Sequence, residues 1–232
     1  MKIAILTNDL GGGTGNHLLS MLKHWDKDYW RTAIFSSAPV RDRVAPDVPV
    51  HYLPPSRIFR FYPAAQLRYL ALLNGKLKND RPDIVHAYFF WSILYGRMLK
   101  LSGKIRTLVE NREDQGFDWN FHEYAWLRAT RSLPDKIVCV SEAVKEVVLD
   151  REGVEESRIA VINNGVDIHP ASSGMEEVTR RELGFTDEHL VTGMVANYNR
   201  AVKGVANFLD AVPLILSAVP SARFLFVGGG GE

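Results

Sequence analysis

The sequence has a single cysteine, Cys139, in 232 residues. That excludes an internal disulfide and points to a reducing compartment, so a cytoplasmic protein is expected. Cys139 lies in the apolar run 137–140 and reads as a buried core thiol rather than a nucleophile. Metal-ligand spacing is missing as well. The seven histidines are scattered, with no C-x-x-C and no H-E-x-x-H, and no metal site is expected. No G-x-S-x-G elbow occurs, which argues against an α/β hydrolase. No apolar run reaches the roughly 18 residues of a membrane span, and the N-terminus lacks a signal-peptide pattern. What is present, 46% hydrophobic and 24% charged residues, is the composition of an ordinary globular protein.

The formal net charge of +1 hides an asymmetry. Residues 1–100 carry 14 Lys/Arg against 7 Asp/Glu, whereas residues 101–232 carry 14 against 20. A basic first half favours an anionic partner such as a phosphate or a lipid surface. The surplus is modest and no nucleic-acid motif accompanies it, so nucleic acid is not expected as a partner.

Short apolar runs alternate with helical periodicity along the chain. Strands are predicted at 2–7, 32–36, 48–53, 83–87, 105–110, 136–140 and 159–162, and helices at 16–25, 63–78, 91–101, 119–132 and 142–150. Ser141 is suited to cap the last of these helices, and Asn163-Asn164-Gly165 reads as a turn. This rhythm predicts an α/β fold: a Rossmann-like parallel sheet covered on both faces, over residues 1–168. Residues 169–189 read as a linker around a short helical piece. A new strand–helix–strand unit follows over 190–232, ending in four glycines and a glutamate. One such unit is too small to bury its own core, so the sequence is expected to be the front part of a longer chain, with an incomplete second Rossmann-like domain.

Four groups of residues could carry chemistry. The first is the turn Gly11-Gly12-Gly13-Thr14-Gly15, between the first strand and the first helix. Glycines let backbone N–H groups approach a ligand, and a helix N-terminus behind them favours phosphate. Asn16 stands where G-x-G-x-x-G needs its last glycine, the expected acidic ribose contact is missing, and no G-x-x-x-x-G-K-[ST] follows. NAD and a P-loop nucleotide are therefore disfavoured. The second group is Arg200 and Lys203, two cations after strand 190–196, a natural clamp for a diphosphate. The third is His86, at the end of the fourth strand, where it could orient a hydroxyl or phosphate, move a proton, or simply sit in the core. The fourth comprises aromatic clusters. Arg57–Tyr62 mixes rings with cations and suits a membrane surface or a solvated basic face. Phe117, Trp119, Phe121, Tyr124 and Trp126 suit an acceptor groove or the core.

These pieces together resemble glycosyltransferase family 4, the group 1 enzymes of GT-B fold. The resemblance rests on the turn Gly11–Gly15, Pro82-Asp83-Ile84-Val85-His86, Val138–Glu142, Val161–Asp167, Val195-Ala196-Asn197 through Lys203-Gly204, and the closing Phe226–Glu232. Tyr88 stands where the family often has a second histidine. The resemblance implies a GT-B-like chain whose N-terminal domain holds a saccharide or lipid-linked acceptor and whose C-terminal domain holds a nucleotide sugar linked to UDP or GDP. It implies sugar transfer with retention, without metal or other cofactor, on a cell-envelope polysaccharide or lipid, with possible peripheral membrane contact. By similarity Arg200 and Lys203 grip the donor diphosphate, Gly12, Gly13 and Gly15 bring backbone N–H groups near it, and His86 is the catalytic candidate. The family's Glu-x7-Glu donor segment is absent, so this stretch is not expected to turn over substrate alone. Two alternatives stand beside this one: a non-catalytic acceptor- or partner-binding domain, and a GT-B-fold sugar-nucleotide epimerase.

Overall fold

The computed structural model describes residues 1–53, 63–116, 119–168, 170, 172–198 and 201–229. The chain divides into two compact units, Met1–Asp167 and Ile168–Glu232. The basic-aromatic stretch Arg57–Tyr62, Phe117 and Arg200 lie outside the described residues.

The first unit alternates strand and helix: β1 (Lys2–Thr7), α1 (Gly12–His24), β2 (Arg31–Ser36), β3 (Val50–Tyr52), α2 (Pro63–Asp80), β4 (Ile84–Ala87), α3 (Phe90–Leu101), β5 (Leu108–Arg112), α4 (Phe121–Ala129), β6 (Lys136–Cys139), α5 (Glu142–Val147) and β7 (Ile159–Val161). Every strand pair is parallel, and the order is β3-β2-β1-β4-β5-β6-β7. The order runs outward in both directions from β1 and β4. Their carboxyl ends therefore form the topological switch point where open α/β sheets bind ligands.

Local chemistry sets the helix starts. Asn120 and Glu123 form a reciprocal capping box at α4, and the Ser141 hydroxyl accepts from the Val144 N–H at α5. Alternation along the strands then feeds two cores. Val85, Ala87 and Leu108 pack against α2 and α3, and Ile3, Ile5 and Ile34 pack against α1.

The structure departs from the sequence-based expectations at several element ends. The first helix begins at Gly12, not at residue 16, so the glycines form its first turn rather than a separate loop. The fifth strand is Leu108–Arg112 rather than 105–110, and the Asp135 carboxylate takes the Leu108 N–H at its start. After α5 a single π turn, Val148–Glu152, precedes Gly153, whose φ of +65° ends it. The segment after β7, read as a turn at Asn163-Asn164-Gly165, runs from Ile162 to Ile168 without one. The Asn163 side chain bonds instead to the Val140 carbonyl, and that of Asn164 to Glu113.

A fully buried charge quartet ties α3, β5 and the π turn together. Arg97 donates to both oxygens of Glu110 at 2.7 and 2.8 Å. Arg112 donates to both oxygens of Glu152 at 2.9 Å each and to Glu110 at 2.9 Å. Arg97 also reaches the Leu127 carbonyl at the end of α4. Burial alone would raise the Glu110 carboxyl, but the two guanidinium groups outweigh it and hold it below the ordinary value.

The second unit holds α6 (Met175–Glu182) and a parallel pair, β8 (Leu190–Val195) and β9 (Ala222–Val227), joined through α7 (Val205–Ala218). Phe208 of α7 meets Phe224 and Phe226 of β9 edge-on, with centroids 6.0 and 5.0 Å apart. Contrary to the expectation from apolar runs, Ala201–Ala218 is long enough for a span at a mean hydropathy of 1.4. Its place between two hydrogen-bonded parallel strands makes it the crossover of a β–α–β unit.

Candidate functional site

The first unit carries a cavity of about 550 Å³ at the switch point. His86 from β4, Asn111 from β5 and Val138 from β6 form its floor, and His17 and Met21 of α1 line one wall. The segment Ile162–Asp167 closes another side as a strap. Its far end is tied to α1: Asp167 takes the Lys23 ammonium and the His24 Nε2, each at 2.7 Å. Those partners hold the Asp167 carboxyl down at about 2, the Lys23 hydrogen bond counting most.

His86 sits half-buried in this floor, with Tyr88 packed on its ring at a centroid distance of 4.6 Å. Its Nε2 bonds the Asn111 Oδ1 at 3.3 Å. Burial drives the imidazole down to about 4, the Asn111 bond opposes that shift, and His17 adds to it. His86 is therefore neutral at physiological pH. The chain leaves β4 abruptly: Phe89, just before α3, has φ 66° and ψ 153°, a sparsely populated backbone conformation for a bulky residue beside the site.

The glycine turn lies at the end of the adjacent strand β1. Gly12 has φ +64°, and nothing stands within 4 Å of where a Cβ would project at Gly12 or Gly13. No side chain caps α1 and its first turn holds no acid, although the Asp9 carboxylate lies against Gly11 just ahead of it, where it accepts the Leu10 N–H. Arg43 adds a cation there, donating to the Leu10 carbonyl and, at 3.0 Å, to Asn16. Gly15 is different: a Cβ there would collide with the Leu10 backbone carbonyl, so that glycine serves close packing. Lys203 belongs to the second unit, exposed at the end of a short 3-10 turn, Ala201–Lys203, ahead of α7.

Within the first unit the fold thus brings His86 and the glycine turn to one sheet edge. Asn111, Glu113, His17 and Arg43 join them unannounced by the sequence. Asn111 escaped because strand five was expected to stop at residue 110. With the register Val85↔Leu108 and His86↔Val109, Asn111 emerges on the same face two residues further along. Of the aromatic cluster, Trp119 and Trp126 pack against the core and Tyr124 is buried, while Phe121 is 80% exposed. Cys139 is buried, and desolvation raises its thiol to about 11, so it is no nucleophile. Among the described residues no group of three or more His, Cys, Asp or Glu could hold a metal ion.

The model of glycosyltransferase family 4 matches residues 11–169. A UDP-Gal:alpha-D-GlcNAc-diphosphoundecaprenol alpha-1,3-galactosyltransferase of Escherichia coli is 24% identical over 174 residues, 71% of this chain and 45% of that one. A GDP-mannose-dependent monoacylated alpha-(1-6)-phosphatidylinositol monomannoside mannosyltransferase of Corynebacterium glutamicum is 38% identical over 72 residues, 29% of this chain and 18% of that one. The chain thus spans less than half the length of these relatives. Among solved structures, Anabaena Alr3699/HepE in complex with UDP and glucose superposes with a TM-score of 0.77 at 20% identity, over 100% of this chain and 62% of that one. Sucrose-phosphate synthase from Thermosynechococcus elongatus gives 0.78 at 13% identity, over 100% and 63%. At such identities the likeness is one of fold, a GT-B-like one. With the family model spanning more than half its length, the chain belongs to glycosyltransferase family 4.

Proposed function

We propose that the chain is the acceptor-side portion, with the start of the donor side, of a retaining glycosyltransferase. It moves a sugar from a UDP- or GDP-linked donor to a saccharide or lipid-linked acceptor of the cell envelope. The observation that carries this reading is the cavity at the β1/β4 switch point with His86 in its floor, the glycine-built start of α1 following the adjacent strand β1. The activities of the two relatives, one acting on a diphosphoundecaprenol and the other on a phosphatidylinositol mannoside, support a lipid-linked acceptor. Such an acceptor would bring the protein against a membrane surface, and the lone thiol fits a cytoplasmic one.

In this reading the cavity receives the acceptor, and His86 orients the hydroxyl that attacks the anomeric carbon. The departing nucleoside diphosphate gains negative charge as the glycosidic bond to phosphate breaks. Arg200 and Lys203 stabilise that charge, and the family resemblance assigns the N–H groups of Gly12 and Gly13 to a phosphate. Gly15 keeps α1 close enough to β1 for those N–H groups to be presented. No cofactor is assigned; the nucleotide sugar is a substrate. Placing two substrates in one geometry supplies much of the remaining rate.

The test is titration of UDP and of GDP against the chain and against its Arg200→Ala/Lys203→Ala variant. Hydrogen bonds to charged groups contribute about 1.5–3 kcal/mol each, so binding at least tenfold weaker in the variant is expected. Unchanged binding in the variant overturns the donor assignment.

A further inference from the structure

We infer that Glu113 and Asn111 form a positioning pair that locks His86 as the Nε2–H tautomer, so that its Nδ1 is a hydrogen-bond acceptor and the ligand group it meets is a hydroxyl rather than a phosphate. The inference deepens the proposed function and rests on it for the identity of the ligand; the tautomer itself does not.

The logic runs from the carboxylate inward. A carboxylate only accepts hydrogen bonds. Glu113 accepts from the Asn111 Nδ2 through one oxygen and from the Asn164 Nδ2, at 3.3 Å, through the other. Its demand for a donor fixes which way the Asn111 amide faces. With Nδ2 committed to Glu113, Oδ1 is the atom turned to His86, 3.3 Å from Nε2. An amide oxygen cannot donate, so the proton between them belongs to Nε2. A neutral imidazole carries one proton, which leaves Nδ1 bare. No second hydrogen bond to the ring exists among the described residues.

The surroundings keep the ring in this state. His17 of α1 shares the cavity and opposes a positive charge on the His86 ring. Tyr88 covers one ring face. Val138 of β6 is apolar, and Glu113 reaches the ring only through Asn111. Cationic stabilisation of an anion at His86 would need the doubly protonated ring, which burial opposes. A sugar hydroxyl, by contrast, donates to Nδ1 and needs no charge. Of the cations of the first unit, Arg43 lies at the glycine turn and Lys23 is engaged by Asp167 of the strap.

Asn164 makes the pair responsive to the strap. It belongs to the segment tied down by Asp167, so the strap's position reaches His86 through Glu113 and Asn111. Sequence reading could not have reached this chain of contacts, because its members come from β4, the end of β5 and the segment after β7.

The experiment is two-bond 15N–1H correlation NMR on the full chain with 15N-labelled histidine, with the His86 signals assigned from His86→Gln. The wild type is expected to show protonated Nε2 and bare Nδ1 near neutral pH. Asn111→Ala should give a mixture of tautomers, Glu113→Ala a smaller shift in the same direction, and Glu113→Gln, which keeps an acceptor oxygen, should restore the wild-type pattern. The other six histidines report whether each variant folds. A protonated Nδ1 in the wild type, or an unchanged tautomer in Asn111→Ala, overturns the pair. Addition of inorganic phosphate should leave the His86 resonances in place; conversion to imidazolium on phosphate overturns the hydroxyl assignment. These readouts need no sugar transfer. A locked tautomer together with an undiminished nucleotide affinity in Arg200→Ala/Lys203→Ala would therefore fail the donor assignment alone.

Discussion

Two faces of one strand divide the labour in this molecule. On the side of β5 turned to α3, Glu110 and Arg112 are buried among Arg97 and Glu152, with every charge matched. On the opposite side, one residue between them, Asn111 is neutral and faces a cavity beside a neutral histidine. Full charge is used where water is excluded and geometry is closed. On the cavity floor the groups from β4 and β5 are polar but uncharged, ready to exchange hydrogen bonds with a ligand. The pleat makes this possible, because adjacent residues of a strand point to opposite sides and need share nothing but backbone.

The comparison breaks hardest on the buried side. Arg112→Ala leaves Glu152 and Glu110 short of a partner in a dry interior. A loss of about 3–5 kcal/mol is expected, read as the shift in urea-unfolding free energy. Replacing all four charged residues together by Met and Leu should retain most of the stability, since apolar groups of similar volume need no partners. If Arg112→Ala costs less than about 1 kcal/mol, the quartet is not the closed unit described here.

The cavity side answers to pH in a separate window. Depressed below 6.5 to about 4 in the fold, His86 leaves the unfolded chain binding more protons between those values. Its contribution to stability is present above pH 6.5 and drains as pH falls toward 4. Glu110, lowered from 4.5, contributes above that value and loses its contribution only as pH falls below it. Unfolding free energies of wild type and His86→Gln, measured from pH 7.5 to 3, should diverge in the upper window and run parallel in the lower one. Parallel curves throughout would show that His86 is not desolvated.

The smallest effect is expected at the strap. Lys23 and His24 are well exposed where they hold Asp167, and exposed pairs add little to global stability. Asp167→Asn should leave the unfolding midpoint unchanged yet speed amide hydrogen exchange at Ile162, whose N–H bonds the Cys139 carbonyl at the start of the strap. Unaltered exchange would mean the strap is held by Asn163 and Asn164 alone.

The α/β alternation, the parallel sheet and the order of its strands along the chain were legible in the sequence. Apolar runs of strand length, helical periodicity between them and a capping Ser141 carry that information locally. The glycine turn and His86 were legible as candidates for the same reason, since each ends a recognisable strand. The ends of elements were less legible. Strand five starts where the Asp135 side chain, distant in sequence, takes the Leu108 N–H, and α1 starts inside a glycine run that has low helix propensity of its own.

What the sequence by itself determined is therefore which segments become strands and helices, and that their strand ends carry chemistry. The tertiary structure decided the rest. It set β1 beside β4, so that the glycine turn and His86 share an edge. It turned four charged residues scattered from 97 to 152 into one neutral buried unit. It led the strap back to α1, and through Glu113 and Asn111 it chose the nitrogen of His86 that carries the proton. Such pairings depend on strand register and crossover paths, which bring together residues that no local pattern connects.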